Sequence, residues 1–260
     1  MNKKKEKEQI NHNQVFHVHT YRCRHASNEP EIEYIYKAIQ LGATEIVFTD
    51  HCPFPGNPFR FRMDMDELEG YIRVLKYLKQ QFEGIIDIKI GLETEYIPTY
   101  RDYYYRLLCS GALNLLLLGQ HFALRRDGIY TFEAKDKSEE AKYLSEAMIE
   151  GMESGVFYAV AHPDLIFRRE KKWSQEMDRI SDEIKACACQ TSVALEQNIS
   201  CMLSKPAKHE YRPEFWKELP VGIRTICGLD AHSVLELEQN YKVMQQGWCE
   251  SKMLRGGISL

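Results

Sequence analysis

In the run Val15-Phe16-His17-Val18-His19-Thr20, two histidines stand two residues apart in a β-prone stretch. Alternate residues of a strand share a face, so both imidazoles can meet at one point. Neutral imidazole is the commonest protein metal ligand, and ligands fixed by backbone geometry lose little entropy on binding. Taken alone, the pair fits equally well a half-buried strand whose histidines find hydrogen-bond partners. The remaining strand ends decide between these readings.

Strand-like runs at 15–20, 45–50, 85–91, 113–118, 156–161, 192–195 and 224–228 lead into chemistry-bearing residues. In order these are His17/His19, His51, Glu93, His121, His162, Glu196 and Asp230/His232, with His25 in the loop after the first run. Of the nine histidines only His12 and His209 fall outside this pattern. Burying so many imidazoles together without a metal leaves a partly unsatisfied polar cluster. Imidazole and carboxylate without thiolate suit Zn²⁺, Mn²⁺ or Fe²⁺. His17, His19, His25, His51, Glu93, His121, His162, Asp230 and His232 are too many ligands for one tetrahedral ion. The expectation is two or three divalent ions, with Glu93 as the bridge because a carboxylate has two oxygens to share. Glu95 is the rival bridge or a rim carboxylate, and Asp50 is expected to orient a ligand rather than bind metal. Cys52, beside His51, reads as a small buried side chain, with a metal ligand or reactive thiol as its alternatives.

Helical patterns separate the runs. One begins near Asn28-Glu29-Pro30 with an apolar stripe of Ile32, Ile35, Tyr36 and Ile39. Others are expected over 64–82, 100–109, 135–153 and 174–189, after Pro213 through Leu219, and after Ser233. Repeated βα units imply a mostly parallel sheet with helices outside. Seven units without a composition break predict a single α/β domain, a closed or nearly closed barrel, with an open doubly wound sheet as the alternative. No glycine-rich phosphate loop follows the first run, which weighs against a dinucleotide or P-loop protein. Residues 1–12 are expected to be a flexible extension and 13–260 the domain.

The chain of 260 residues is 44% hydrophobic and 28% charged, as a soluble globular protein is. A net charge of −4 argues against a general nucleic-acid-binding surface. No apolar run reaches membrane-span length, and no secretory apolar region follows Met1. A cytoplasmic protein with reduced thiols is expected from its eight cysteines, which lack CxxC spacing.

His17-x-His19, His25, Asp50-His51, Glu93, His121, His162-Pro163 and Asp230-x-His232 resemble, in order and spacing, the motifs of the PHP (polymerase and histidinol phosphatase) superfamily. The resemblance extends from about Val15 to Ser233. It implies a distorted (β/α)7 TIM-like barrel with a trinuclear metal site. By position, one metal would take His17, His19, Glu93 and Asp230, a second Glu93, His121 and His162, and a third His25, His51 and His232. The elements around Thr49–Pro53, His162–Leu165 and Leu195–Asn198 are most similar to monofunctional histidinol-phosphate phosphatases, although Cys201–Lys205 departs from the glycine and basic residue common there.

The expected chemistry is hydrolysis of a small phosphate monoester, L-histidinol phosphate, by a metal-bound hydroxide. Glu93, Asp230 and His232 form its catalytic core. Phosphoryl transfer rests on positioning and charge neutralisation, so cations should line the mouth. Arg168 and Lys205 are the leading candidates, ahead of Arg24, Arg60 and Arg212, and Glu196 is expected to meet the substrate's amine or imidazole. The alternative is a phosphatase or phosphodiesterase acting on another small phosphate, such as a nucleotide.

Overall fold

Seven parallel strands follow one another around a nearly closed barrel in the order in which they occur in the chain. They are β1 (Gln14–Val18), β2 (Glu45–Phe48), β3 (Asp87–Thr94), β4 (Leu115–Leu118), β5 (Ala159–Val160), β6 (Ala194–Asn198) and β7 (Thr225–Gly228). The computed structural model describes residues 13–247; the extension expected over 1–12 lies outside the described residues. Sequential order excludes the doubly wound alternative, in which the strand order reverses. The last gap is spanned by backbone hydrogen bonds from Leu229 N to the Phe16 carbonyl (2.8 Å), from Ala231 N to that of His17 (3.2 Å) and from His19 N to that of Ala231 (2.9 Å).

Helices α1 (Glu31–Gln40), α2 (Leu68–Gln81), α3 (Arg101–Cys109), α4 (Glu140–Glu153), α5 (Gln175–Thr191), α6 (Ile199–Leu203) and α7 (Val234–Gln245) cover the outside. Their amphipathic spacing explains this. On α5, Met177, Ile180, Ile184, Cys187 and Ala188 recur on one face and are buried. Ser174 caps that helix by accepting from Met177 N. The outward sides of the strands and the inner faces of the helices form one large apolar layer. Inside the barrel a second, smaller cluster of Phe16, Val47, Leu117, Ala159, Ala161 and Ala194 fills the floor. Because alternate residues share a face, Glu93 on β3 and Glu196 on β6 enter the same lumen above that floor.

Several boundaries differ from the sequence expectation. The segment after Pro213 forms turns instead of a helix, α6 was not anticipated, and Pro30 is the cap of α1 rather than a residue of its first turn. The strand expected at 192–195 runs on to Asn198, and the one expected at 85–91 runs on to Thr94. Both shifts matter, because they place Glu93 and Glu196 inside strands rather than beyond their ends. Among the described residues Cys23, Cys52, Cys109, Cys187, Cys189 and Cys201 are free thiols. Among the described residues no helix is long and apolar enough to cross a membrane.

Candidate metal and phosphoester site

The two opening histidines converge, but not through a regular pleat. The β1–β2 register breaks between Val15 and Val18, and His17 lies in the left-handed region with φ 68°. That irregularity re-aims the backbone, and His19, just past the strand end, brings its Nε2 to 3.0 Å from His17 Nε2. Two further candidate ligands share this unusual backbone, His162 at φ 30° and Asp230 at φ 49°. Non-glycine residues there cost about 1–3 kcal/mol each and cluster at functional sites.

Glu93 is the centre of the cluster. Its Oε2 lies 3.5 Å from His17 Nε2, 3.4 Å from His19 Nε2 and 3.1 Å from His51 Nδ1. Its Oε1 lies 3.1 Å from His162 Nε2 and 3.6 Å from His121 Nε2. Asp230 Oδ1 stands 3.7 Å from His17 Nε2 and 3.4 Å from His19 Nε2. Four ligands about 2.0–2.1 Å from one ion in a tetrahedron are about 3.3 Å apart. The separations among His17, His19, Glu93 and Asp230, from 3.0 to 3.7 Å, scatter around that edge. Glu93, His121 and His162 form a second compact triad, and His25, His51 and His232 a third, with ligand atoms within 4.8 Å of one another in each. His232 Nε2 is buried with no hydrogen-bond partner, as expected of an atom meant for a cation. The residues present therefore fit divalent cations.

The electrostatics agree. Burial opposes ionisation of Glu93, yet His121, His51 and His17 hold its carboxyl well below the usual range. Asp230 is likewise held low against its burial, chiefly by His17. Burial opposes a proton on His17 too, but Glu196, Asp230 and Glu93 outweigh it and raise that imidazole well above its ordinary pKa. Burial and the neighbouring His232 push His19 down to about 3, and burial drives His51 well below its ordinary value. The cluster calls for positive charge at its centre: burial holds His19, His25 and His51 toward the neutral state in which imidazole binds metal, while Glu93, against the same burial, pulls His162 upward.

A surrounding layer fixes which nitrogen each ring presents. His17 Nδ1 meets Glu196 Oε1 at 2.7 Å, His121 Nδ1 meets Glu95 Oε1 at 3.0 Å, and His25 Nδ1 meets the Cys23 carbonyl at 2.8 Å. Asn198 Nδ2 donates to Asp230 Oδ2 (3.2 Å) and Glu196 Oε2 (3.0 Å), while its Oδ1 caps α6 by accepting from Cys201 N. Ser233 caps α7, and Glu236 in its first turn accepts from His232 N at 2.8 Å, which anchors that ligand to the helix start. Asp50 accepts from Thr20 N at 2.9 Å and lies 3.9 Å from His19 Nδ1, beyond hydrogen-bond reach, so that nitrogen has no hydrogen-bond partner among the described residues. Two glycines make room for the acids. A Cβ on Gly119 would lie 2.0 Å from Glu93 Oε1, and one on Gly228 would lie 1.7 Å from Glu196 Oε1.

Above the cluster opens a cleft of about 620 Å³. The loop after β2 supplies Pro58, Phe59, Arg60, Phe61 and Arg62, and Phe122, Phe132 and Leu165 complete the wall. Three sequence expectations change here. Glu196, expected at the substrate, is 0% exposed, with its oxygens bonded to His17, Asn198 and the His162 N–H, so it is spent on the candidate ligands. Arg168 donates to Glu140 and to the His121 carbonyl and does not line the cleft, and neither does the exposed Lys205. Of the weaker candidates Arg60 does line it, whereas Arg212 is spent on the carbonyls of Phe167 and Glu170, and Arg24 on Asp64 and Glu67. Sequence reasoning passed over Arg62, which is buried and forks onto Glu95 with contacts of 3.1 and 3.2 Å.

The chain is similar to known proteins. A Deinococcus radiodurans protein named "Probable histidinol-phosphatase" is 29% identical over 159 residues, 57% of this chain and 59% of that one. The histidinol-phosphatase of Bacillus subtilis is 34% identical over 122 residues, 44% of this chain and 45% of that one. The chain spans about half the length of these curated relatives. Among solved structures, the histidinol phosphate phosphatase HisK of Lactococcus lactis, complexed with zinc, L-histidinol and phosphate, has the same fold. It superposes with a TM-score of 0.67 at 18% identity, over 95% of this chain and 94% of that one. HisK of Listeria monocytogenes superposes with a TM-score of 0.71 at 20% identity, over 88% and 99%. The PHP domain family matches residues 16–200, most of the barrel and all but two of the ligand candidates, and the chain belongs to that family.

Proposed function

We propose that this protein is a metal-dependent phosphomonoesterase that hydrolyses L-histidinol phosphate to L-histidinol and phosphate. One observation carries the reading: three ligand triads meet around Glu93 and Asp230 at the floor of a cleft large enough for a small phosphate ester. Divalent cations bound there, of the Zn, Mn or Fe class, supply Lewis-acid charge for phosphoryl oxygens and ionise water near neutral pH.

The chain's own residues do the rest. Glu93, Asp230 and His232 hold the charge against which the phosphoryl group is placed. Glu196 takes the Nδ1 proton of His17 and Glu95 that of His121, so each ring presents Nε2 to the site. Arg60, which lines the cleft and has no partner among the described residues, is placed to neutralise the phosphate dianion. Phe59, Phe61, Phe122 and Phe132 give the cleft an apolar wall suited to a flat leaving group.

The same aromatic wall would accept a nucleobase, so the alternative substrate is a nucleotide. The test is phosphate release by metal-quantified protein from histidinol phosphate, a panel of nucleotides and a panel of sugar phosphates. Preference for histidinol phosphate by at least ~10²-fold in kcat/KM, or about 2.7 kcal/mol of differential transition-state binding, is expected. Preference for a nucleotide or a diester refutes the substrate.

A further inference from the structure

The cleft wall and the cation site are joined through one buried guanidinium. Arg62 forks onto Glu95, Nη1 to Oε2 at 3.1 Å and Nη2 to Oε1 at 3.2 Å, and that same Oε1 meets His121 Nδ1 at 3.0 Å. Arg62 Nη1 also donates to the carbonyl of Cys52 at 2.9 Å, the residue after His51. Its carbon Cζ lies 5.4–5.7 Å from the ring centroids of Phe54, Phe59 and Phe122, two of which line the cleft. A buried arginine serving only stability could pair with any acid; this one pairs with the acid that sets a ligand's tautomer.

We infer that Arg62 is a positioning residue for the cation held by Glu93, His121 and His162, acting through Glu95 on His121 and coupling the 53–62 loop to that position. The inference rests on the metal-site reading. With the fork in place, Glu95 is fixed to accept the His121 Nδ1 proton, and Nε2 faces Glu93. Without it, Glu95 is free to turn away, and the His121 ring loses its orientation together with the loop that carries Arg60. Lysine keeps the charge but not the two-pronged geometry, so it restores the coupling only in part.

The test counts cations and times their loss. Metal-loaded wild type, Arg62→Met, Arg62→Lys and Glu95→Gln are mixed with a chelator, and bound metal is followed by element analysis. Lys185→Met, a buried cation removed far from the site, controls for general destabilisation. One cation per chain is expected to leave ~10–100-fold faster from Arg62→Met and Glu95→Gln, with Arg62→Lys between these and wild type. Lys185→Met should keep the wild-type rate. If Arg62→Met does not fold, Arg62→Lys and Glu95→Gln decide the matter. Wild-type loss rates in the folded Arg62 variants overturn the inference, provided His162→Ala lowers the metal count. If His162→Ala leaves the count unchanged, the metal-site reading itself has failed.

Discussion

Replacing Gly228 with alanine tests whether the barrel lumen is built around its acids. The added Cβ would stand 1.7 Å from Glu196 Oε1, 2.3 Å from Cδ and 2.8 Å from Cγ. No rotation of a fully buried side chain on the neighbouring strand removes three such contacts, so Glu196 must shift as a unit. It then gives up bonds to His17 Nδ1 (2.7 Å), His162 N (2.9 Å) and Asn198 Nδ2 (3.0 Å). Losing one charge-assisted bond costs about 1.5–3 kcal/mol and residual overpacking about 1–3 kcal/mol. A net loss of about 3–5 kcal/mol corresponds to a Tm about 6–20 °C lower for a chain of this size. With His17 no longer oriented, affinity for its cation should fall by ~10–100-fold. Gly70 in α2 is the control, because a Cβ there meets nothing within 4 Å and its φ is ordinary. Gly70→Ala should raise stability by about 0.5–1 kcal/mol. Thermal unfolding and metal titration of both variants read the outcome. A Gly228→Ala protein with wild-type Tm and wild-type cation affinity would refute the reasoning.

Gly119→Ala drives a Cβ to 2.0 Å from Glu93 Oε1 and should lower metal content as well as stability, measured by element analysis beside thermal unfolding. Arg60→Ala should raise KM for the phosphate ester about tenfold and weaken inhibition by inorganic phosphate to a similar extent, about 1.4 kcal/mol, with metal content unchanged. Chelation should lower Tm, since each cation present at 100 times its Kd contributes about 2.7 kcal/mol to the folded state; equal melting curves with and without chelator would contradict this.

Much of this site could be read from the sequence because strand ends in a parallel barrel converge whatever fills the loops. His51, His121 and His162 could be placed from their positions alone, and the fold brings together His17/His19/Asp230, Glu93/His121/His162 and His25/His51/His232, beside the overlapping groups His19/His51/Glu93 and His19/Cys23/His232. Position along the barrel axis was harder to see. Glu196 follows an apolar run and looks like a rim residue, yet β6 extends three residues further and carries it into the lumen. His17 reaches His19 through a backbone irregularity that no side-chain pattern announces. Arg62 reads as a solvated loop cation because its partner lies 33 residues away on another strand end. The room made by Gly119 and Gly228 is equally non-local, and each would pass for a turn glycine.

The central claim is that one carboxylate, Glu93, holds the cluster together and that the assembled site cleaves a phosphate ester. The most direct measurement is metal content per chain together with phosphate release from histidinol phosphate, for wild type and Glu93→Gln prepared side by side. Wild type should hold two or three divalent cations and release phosphate. Glu93→Gln should hold fewer and release phosphate at least ~10²-fold more slowly, a loss of about 2.7 kcal/mol or more of transition-state stabilisation. Glu93→Gln with wild-type metal content and wild-type phosphate release would contradict the account.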